Sequence, residues 1–208
     1  MTTASDRRTA ILESAARVIA RRGVRGLRVE ELAAEAGVST ALIYYHFKDR
    51  AGVLRRTLEF INDRAERYTT GGEPGAEPQE SPKPREPLEP LEPRQELERA
   101  LLLELQDDEL VRENSTAWGE LRASAVFEPD LRHDLAKASL TWVQAVADLL
   151  GQVQPMAPAG TLALAAERLT ALLEGLSMRW LSGILPLAHA RALMREAIAV
   201  ELERLEHP

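Results

Sequence analysis

Seven prolines fall between Thr69 and Pro93, at positions 74, 78, 82, 84, 87, 90 and 93, with six glutamates among them and the repeat Glu86-Pro87-Leu88-Glu89-Pro90-Leu91-Glu92-Pro93. Proline lacks a backbone N–H and disfavours helix in the residue before it, so no regular helix can run through this stretch. It reads as a flexible or polyproline-like surface loop or linker over 69–93. The chain on either side of it reads as helix. Aromatic residues are only 4% of the chain and β-branched runs are scarce, while Ala, Leu, Glu and Arg, all strong helix formers, dominate. The predicted fold class is all-α, interrupted once.

Before the interruption, four helical patterns follow one another. Ile11, Ala15, Val18 and Ile19 recur at helical spacing between Arg7 and Arg22, and Gly23 is a natural stop. Val29, Leu32, Ala33 and Ala36 mark a second, short helix with Glu30 and Glu31 in its first turn, where acidic side chains suit the helix dipole. Gly37 ends it. Ser39 can cap a third helix from Thr40 to about Phe47, and Asp49 a fourth with the stripe Leu54, Leu58, Ile61, Ala65 and Tyr68.

Residues 28–47 thus have the form of a helix-turn-helix, in which Gly37 permits the tight turn, Val38 plugs the angle and Ser39 caps the reader. The helix Thr40-Ala41-Leu42-Ile43-Tyr44-Tyr45-His46-Phe47 is too short to stand alone and needs a packed face. Ile43 and Phe47, four apart, can supply it. Tyr45, His46 and Lys48 are then left as donors at the helix end, suited to phosphate oxygens. After the proline segment, helices are predicted at 94–106, 109–127, 130–153, 160–184 and 187–206. Leu164, Leu169, Leu172, Leu173, Leu176, Trp180 and Leu181 cannot all face one core, so that helix is central to a bundle or half-covered by another subunit.

Ala10-Ile11-Leu12 through Arg22-Gly23, Leu32-Ala33-Ala34-Glu35-Ala36-Gly37-Val38-Ser39, and above all Ile43-Tyr44-Tyr45-His46-Phe47-Lys48 followed by Leu54 resemble the TetR family of one-component bacterial regulators. Trp118 to Leu131 and Leu173-Glu174-Gly175-Leu176 resemble the subgroup typified by the choline-responsive repressor. The resemblance implies an N-terminal three-helix DNA-binding domain and a C-terminal helical bundle for ligand binding and dimerisation. The corresponding divisions are 1–50 for the helix-turn-helix domain, 51–68 for a connecting helix, 69–93 for the loop and 94–208 for the ligand-binding domain. It also implies a homodimer, joined through the last two helices at about 160–206, on a near-palindromic double-stranded operator, released by a small-molecule effector. Carried over by position, Thr40, Ala41 and Tyr44 face base edges, Ser39, Tyr45, His46 and Lys48 hold phosphates, and Arg28 and Arg50 flank them. Thr40, Ala41, Leu42 and Arg28 depart from the residues common in the family. Thr40 and Ala41 suit a thymine methyl better than a guanine.

Large apolar side chains with a few polar groups are what a ligand cavity needs, and Trp118, Leu121, Phe127, Trp142 and Met178 are the candidates. Glu174, with Glu120, adds carboxylates beside Trp faces that could enclose a cationic ligand. An enzyme is not expected. His46, His133, His189 and His207 are scattered, there is no cysteine, and no phosphate loop or metal-ligand spacing occurs. No cofactor is expected, and charged residues interrupt every apolar run before bilayer-spanning length, which points to the cytoplasm. A helical protein-interaction module without an operator is the competing reading, and it leaves Tyr45, His46 and Lys48 unexplained. The net charge of -7 hides a division. Residues 1–68 hold 13 basic and 9 acidic side chains, +4, against 13 and 24 in 69–208, -11. The basic end is the one suited to DNA.

Overall fold

Where apolar residues recur every three or four positions, helices form, and the computed structural model shows where each begins and stops. It describes residues 4–69 and 91–206, with side chains from Asp6 to Ala65 and from Leu91 to Glu206. The loop expected at 69–93 lies outside the described residues except at its margins, as does the side chain of Tyr68. Helices α1 (Ala4–Arg22), α2 (Val29–Ala36), α3 (Thr40–Phe47) and α4 (Arg50–Thr69) precede the gap. Helices α5 (Pro93–Leu102), α6 (Glu109–Ala125), α7 (Pro129–Val153), α8 (Ala159–Leu181) and α9 (Leu187–Glu206) follow it. Among the described residues there is no strand, as the composition predicts.

The chain divides into two compact units, residues 1–66 with 112–139, and 67–111 with 140–208. In the first, α1 contributes Ile11, Ala15 and Ile19 to the core, α2 Leu32, α3 Ile43 and Phe47, and α4 Val53, Leu54, Leu58 and Ile61. Ala117, Leu121 and Ala125 from α6 and Leu131 from α7 complete it. The second unit packs α5, the later part of α7, α8 and α9 around Leu97, Leu101, Val146, Leu150, Leu169, Leu173, Met194 and Ile198. Each such Leu, Ile or Phe taken from water contributes roughly 1.5–3 kcal/mol before entropy is counted.

Two helix ends depart from the sequence reading by three or four residues, for different reasons. α5 stops at Leu102 rather than 106 although no glycine or proline stands there. Arg191 of α9 donates through Nη1 to the carbonyls of Leu102 (3.1 Å) and Leu105 (2.6 Å), so the helix can end with these acceptors satisfied. α8 stops at Leu181 rather than 184 because Gly183 takes φ +76° and the Ile184 N–H turns back to Arg179 O. α5 also starts one residue early, on Pro93, where a missing N–H costs nothing at the first helical position.

Candidate nucleic-acid interface

Three backbone devices orient α3. Gly37 adopts φ +63°, a left-handed turn that glycine enters without penalty, and Val38 packs half-buried against the core behind it. Ser39 then sits in extended geometry and its Oγ accepts from Leu42 N–H at 3.2 Å, capping the helix. With Ile43 and Phe47 turned inward, the opposite face carries Thr40, Ala41, Tyr44 and Tyr45, all exposed, and ends on exposed Lys48. Tyr45 is 80% exposed and Tyr44 49%, too much for core residues, so their rings and hydroxyls are available to a partner. His46 is half-buried, its ring edge-on to Tyr45 at 5.1 Å. Arg28 begins α2 without a side-chain cap, where a hydroxyl would have supplied one, and its guanidinium lies exposed. The structure therefore brings Arg28, Ser39, Thr40, Ala41, Tyr44, Tyr45 and Lys48 to exposed positions on one helix-turn-helix.

Lys48 ends α3 at φ +65°, a left-handed conformation that costs a side-chain-bearing residue about 1 kcal/mol or more. Replacing it with glycine separates strain from charge. Lys48→Gly is expected to leave melting unchanged or raise stability by up to about 1 kcal/mol, while the slope of log affinity for DNA against log salt falls by about 1. An unchanged slope would take Lys48 off the phosphates.

Other basic side chains of this unit are engaged within the protein. Glu35 of α2 accepts from Arg17 (3.3 Å) and Arg21 (2.6 Å) of α1, and the Arg21 hydrogen bond chiefly holds its carboxyl below the usual range. Arg50, expected beside the phosphates, has its donors engaged within the protein. Its Nε donates to Leu27 O at 3.1 Å, its Nη2 to Val24 O at 2.6 Å, and its Nη1 pairs with Glu128 at 3.4 Å. Buried Arg64 of α4 bonds Asn114 (2.8 Å) and Glu113 (3.1 Å) of α6, while Asn114 donates to Ile61 O. No local spacing announces these ties, since the partners lie 14 to 78 residues apart.

The ligand candidates divide between the two units. In the first, Leu121 is core, Trp118 packs half-buried against that core, and Phe127 is 76% exposed. Glu120 accepts from the Val24 N–H at 3.3 Å. In the second, Trp142 packs on the core, Glu174 is half-buried and Met178 is exposed. Among the described residues no group of His, Asp and Glu could hold a metal ion.

A groove of about 420 Å³ runs between α8 and α9, lined by Leu169, Leu172, Leu176, Leu193, Ala197 and Val200, with Arg168, Arg179, Glu196 and Glu201 at its edges. Glu201 is buried and receives Arg168 through two hydrogen bonds, 2.8 and 2.5 Å, and Arg204 at 3.0 Å. The Arg168 bonds hold the Glu201 carboxyl below its unfolded value of 4.5, against the opposing effect of burial. A depressed carboxyl stabilises the fold above its unfolded pKa and loses that contribution as pH falls through the folded one. Thermal melting should therefore drop progressively below about pH 4.5, and Glu201→Gln should flatten that dependence. Equal acid sensitivity in both proteins would show that the pair contributes nothing.

Two family models match successive stretches of the chain. Residues 11–57 match the family model for bacterial regulatory proteins of the tetR family, and residues 93–203 that for the C-terminal domain of BetI-type transcriptional repressors. A TetR-family transcriptional regulator from Rhodococcus sp. is 44% identical, with 95% of this chain and 99% of that one aligned at a TM-score of 0.78. A transcriptional regulator from Saccharomonospora viridis, solved in complex with choline, is 26% identical over 95% and 97% of the two chains, TM-score 0.72. A regulator from Haloarcula marismortui, at 17% identity over 94% and 98% and TM-score 0.73, shares the fold. No curated protein matches.

Proposed function

Since the chain belongs to the TetR family of bacterial transcriptional regulators, we propose that it is a homodimeric repressor which binds a near-palindromic operator through α3 and leaves it when a small cation binds. Membership makes it a regulator and not an enzyme, and no described helix is long and apolar enough to cross a membrane. Such a repressor works in the cytoplasm.

The observation that carries the reading is the outward stripe of α3. Thr40, Ala41 and Tyr44 meet base edges, and Ser39, Tyr45, His46 and Lys48 hold the phosphates, with Arg28 beside them. Two such heads read successive major grooves about 34–36 Å apart, or a multiple of that. A second copy packs on the α8–α9 face, where exposed Leu172 and Val200 line the groove and Leu164 is a further exposed apolar residue of α8. A cationic effector suits the charge of -11 in residues 69–208, and choline, bound in the Saccharomonospora relative, is the compound to titrate first. Trp118, Leu121 and Phe127 of the first unit and Trp142, Glu174 and Met178 of the second are the side chains whose substitution would locate its site. The effector acts by differential affinity for the two states of the dimer.

Selecting the preferred duplex from a random pool tests the operator reading. A palindromic consensus whose affinity falls steeply with salt supports it. Binding without sequence preference, or none at all, favours a protein-interaction module instead. Choline that weakens binding to the selected duplex supports the effector class, whereas release only by neutral lipophilic compounds excludes it.

A further inference from the structure

The 3₁₀ turn Val24–Gly26 between α1 and α2 sets the direction in which the helix-turn-helix leaves α1, and it is gripped by residues far along the chain. Val24 is fully buried, and both of its backbone groups are spoken for by side chains. Its N–H donates to Glu120 of α6, and its carbonyl accepts from Leu27 N–H at 3.1 Å and from Arg50, which also takes Leu27 O and pairs with Glu128 just beyond α6. The fit is close. A Cβ on Gly23, which has φ +71°, would come within 2.7 Å of the Glu120 carboxylate. Arg132 in turn donates to the carbonyls of Ala125 and Val126, so the corner that carries Glu128 is itself fastened.

We propose that Glu120 and Glu128, two carboxylates that touch no DNA, are positioning residues for operator binding, acting on the α1–α2 turn with Arg50 as their shared clasp. The proposal rests on the reading of α3 as the DNA-reading helix. The buried Val24 N–H must keep its acceptor, and without Arg50 the carbonyls of Val24 and Leu27 lose the charged donor that ties them together. When the clasp is lost the turn relaxes, α2 and α3 depart from the orientation that fits the groove, and base contacts suffer before phosphate contacts do. The sign of the effect sets this apart from general electrostatics. Removing a negative charge from a DNA-binding unit should strengthen duplex binding, whereas removing either carboxylate here should weaken it. Arg50, by the same argument, serves geometry and contributes nothing to the salt slope.

The test uses the full-length protein and the duplex selected with the unaltered chain. Glu128→Gln, at a partly exposed position, and Glu120→Met should each lower affinity for that duplex about tenfold, with affinity for an unrelated duplex and the salt slope unchanged; melting should stay put in Glu128→Gln and fall by a few degrees in Glu120→Met, which strips the Val24 N–H of its acceptor. Glu120→Gln keeps an oxygen that accepts from Val24 and should recover most of the loss, and amide exchange at Val24 should quicken only in Glu120→Met. Arg50→Lys should bind as poorly as Glu128→Gln although its charge is kept. Operator affinity that is unchanged or raised in Glu128→Gln and Glu120→Met overturns the proposal, as does an equal loss on both duplexes. If the unaltered protein shows no salt-dependent duplex preference, the DNA-binding reading falls and takes this proposal with it. If it binds and the variants match it, only the proposal falls.

Discussion

Tyr44→Ala combined with Tyr45→Ala lowers operator affinity about a hundredfold, and the protein melts where the unaltered one does. The size follows from what each ring does. A specific contact at a base edge or phosphate is worth roughly 1–3 kcal/mol, and two of about 1.4 kcal/mol each give a factor of about a hundred. Melting stays put because neither residue holds the head together. Tyr45 is 80% and Tyr44 49% exposed, and truncating exposed side chains on a helix typically changes stability by less than about 0.5 kcal/mol. The two act on different terms, which the single variants separate. Tyr44→Ala, on the face with Thr40, should relax sequence preference. Tyr45→Ala, at the phosphate end, should weaken all duplexes alike. Binding isotherms on the selected duplex and on an unrelated one measure both, and a double variant within threefold of the parent would remove this face of α3 from the interface.

Which parts of this structure were legible in the sequence follows from the range of the forces involved. Ser39 as a cap, Gly37 as a left-handed turn, and Ile43 with Phe47 as the buried face are local facts, readable at spacings of one to four residues, and the fold agrees with each. The charge division was legible for the same reason, being a property of contiguous segments. The clasp was not. Arg50 beside Lys48 at the end of a reader helix resembles a phosphate ligand until Glu128, Val24 and Leu27 are brought to it by packing. Glu120 near Trp118 likewise suggested a cation site, and folding gives it a backbone N–H instead. The stop of α5 at Leu102 depends on Arg191, 89 residues later. By contrast the stop of α8 at Gly183 needed only local reading, since glycine just past a helix is the usual left-handed terminator.

Phe47→Ala should also abolish operator binding, for the opposite reason. Phe47 is 4% exposed in the core of the first unit, packed with Ile43, Leu54 and the residues of α1. Emptying that volume costs about 3–5 kcal/mol, a large part of the roughly 5–15 kcal/mol that holds a small domain together. α3 spans only Thr40–Phe47 and has no stability of its own at that length, so losing its last buried anchor frees the reader helix before anything else. Affinity for the selected and the unrelated duplex should fall together, and amide exchange should quicken through α2 and α3. The amides of α8 and α9 should stay protected, since their core around Leu169, Leu173, Met194 and Ile198 contains no residue of the head. Phe47→Leu, which keeps most of the volume, should cost under about 1.5 kcal/mol and retain binding. Operator affinity lost in Phe47→Ala with exchange in α3 unchanged would mean that Phe47 meets DNA directly, and that the inward and outward faces of the reader helix have been assigned the wrong way round.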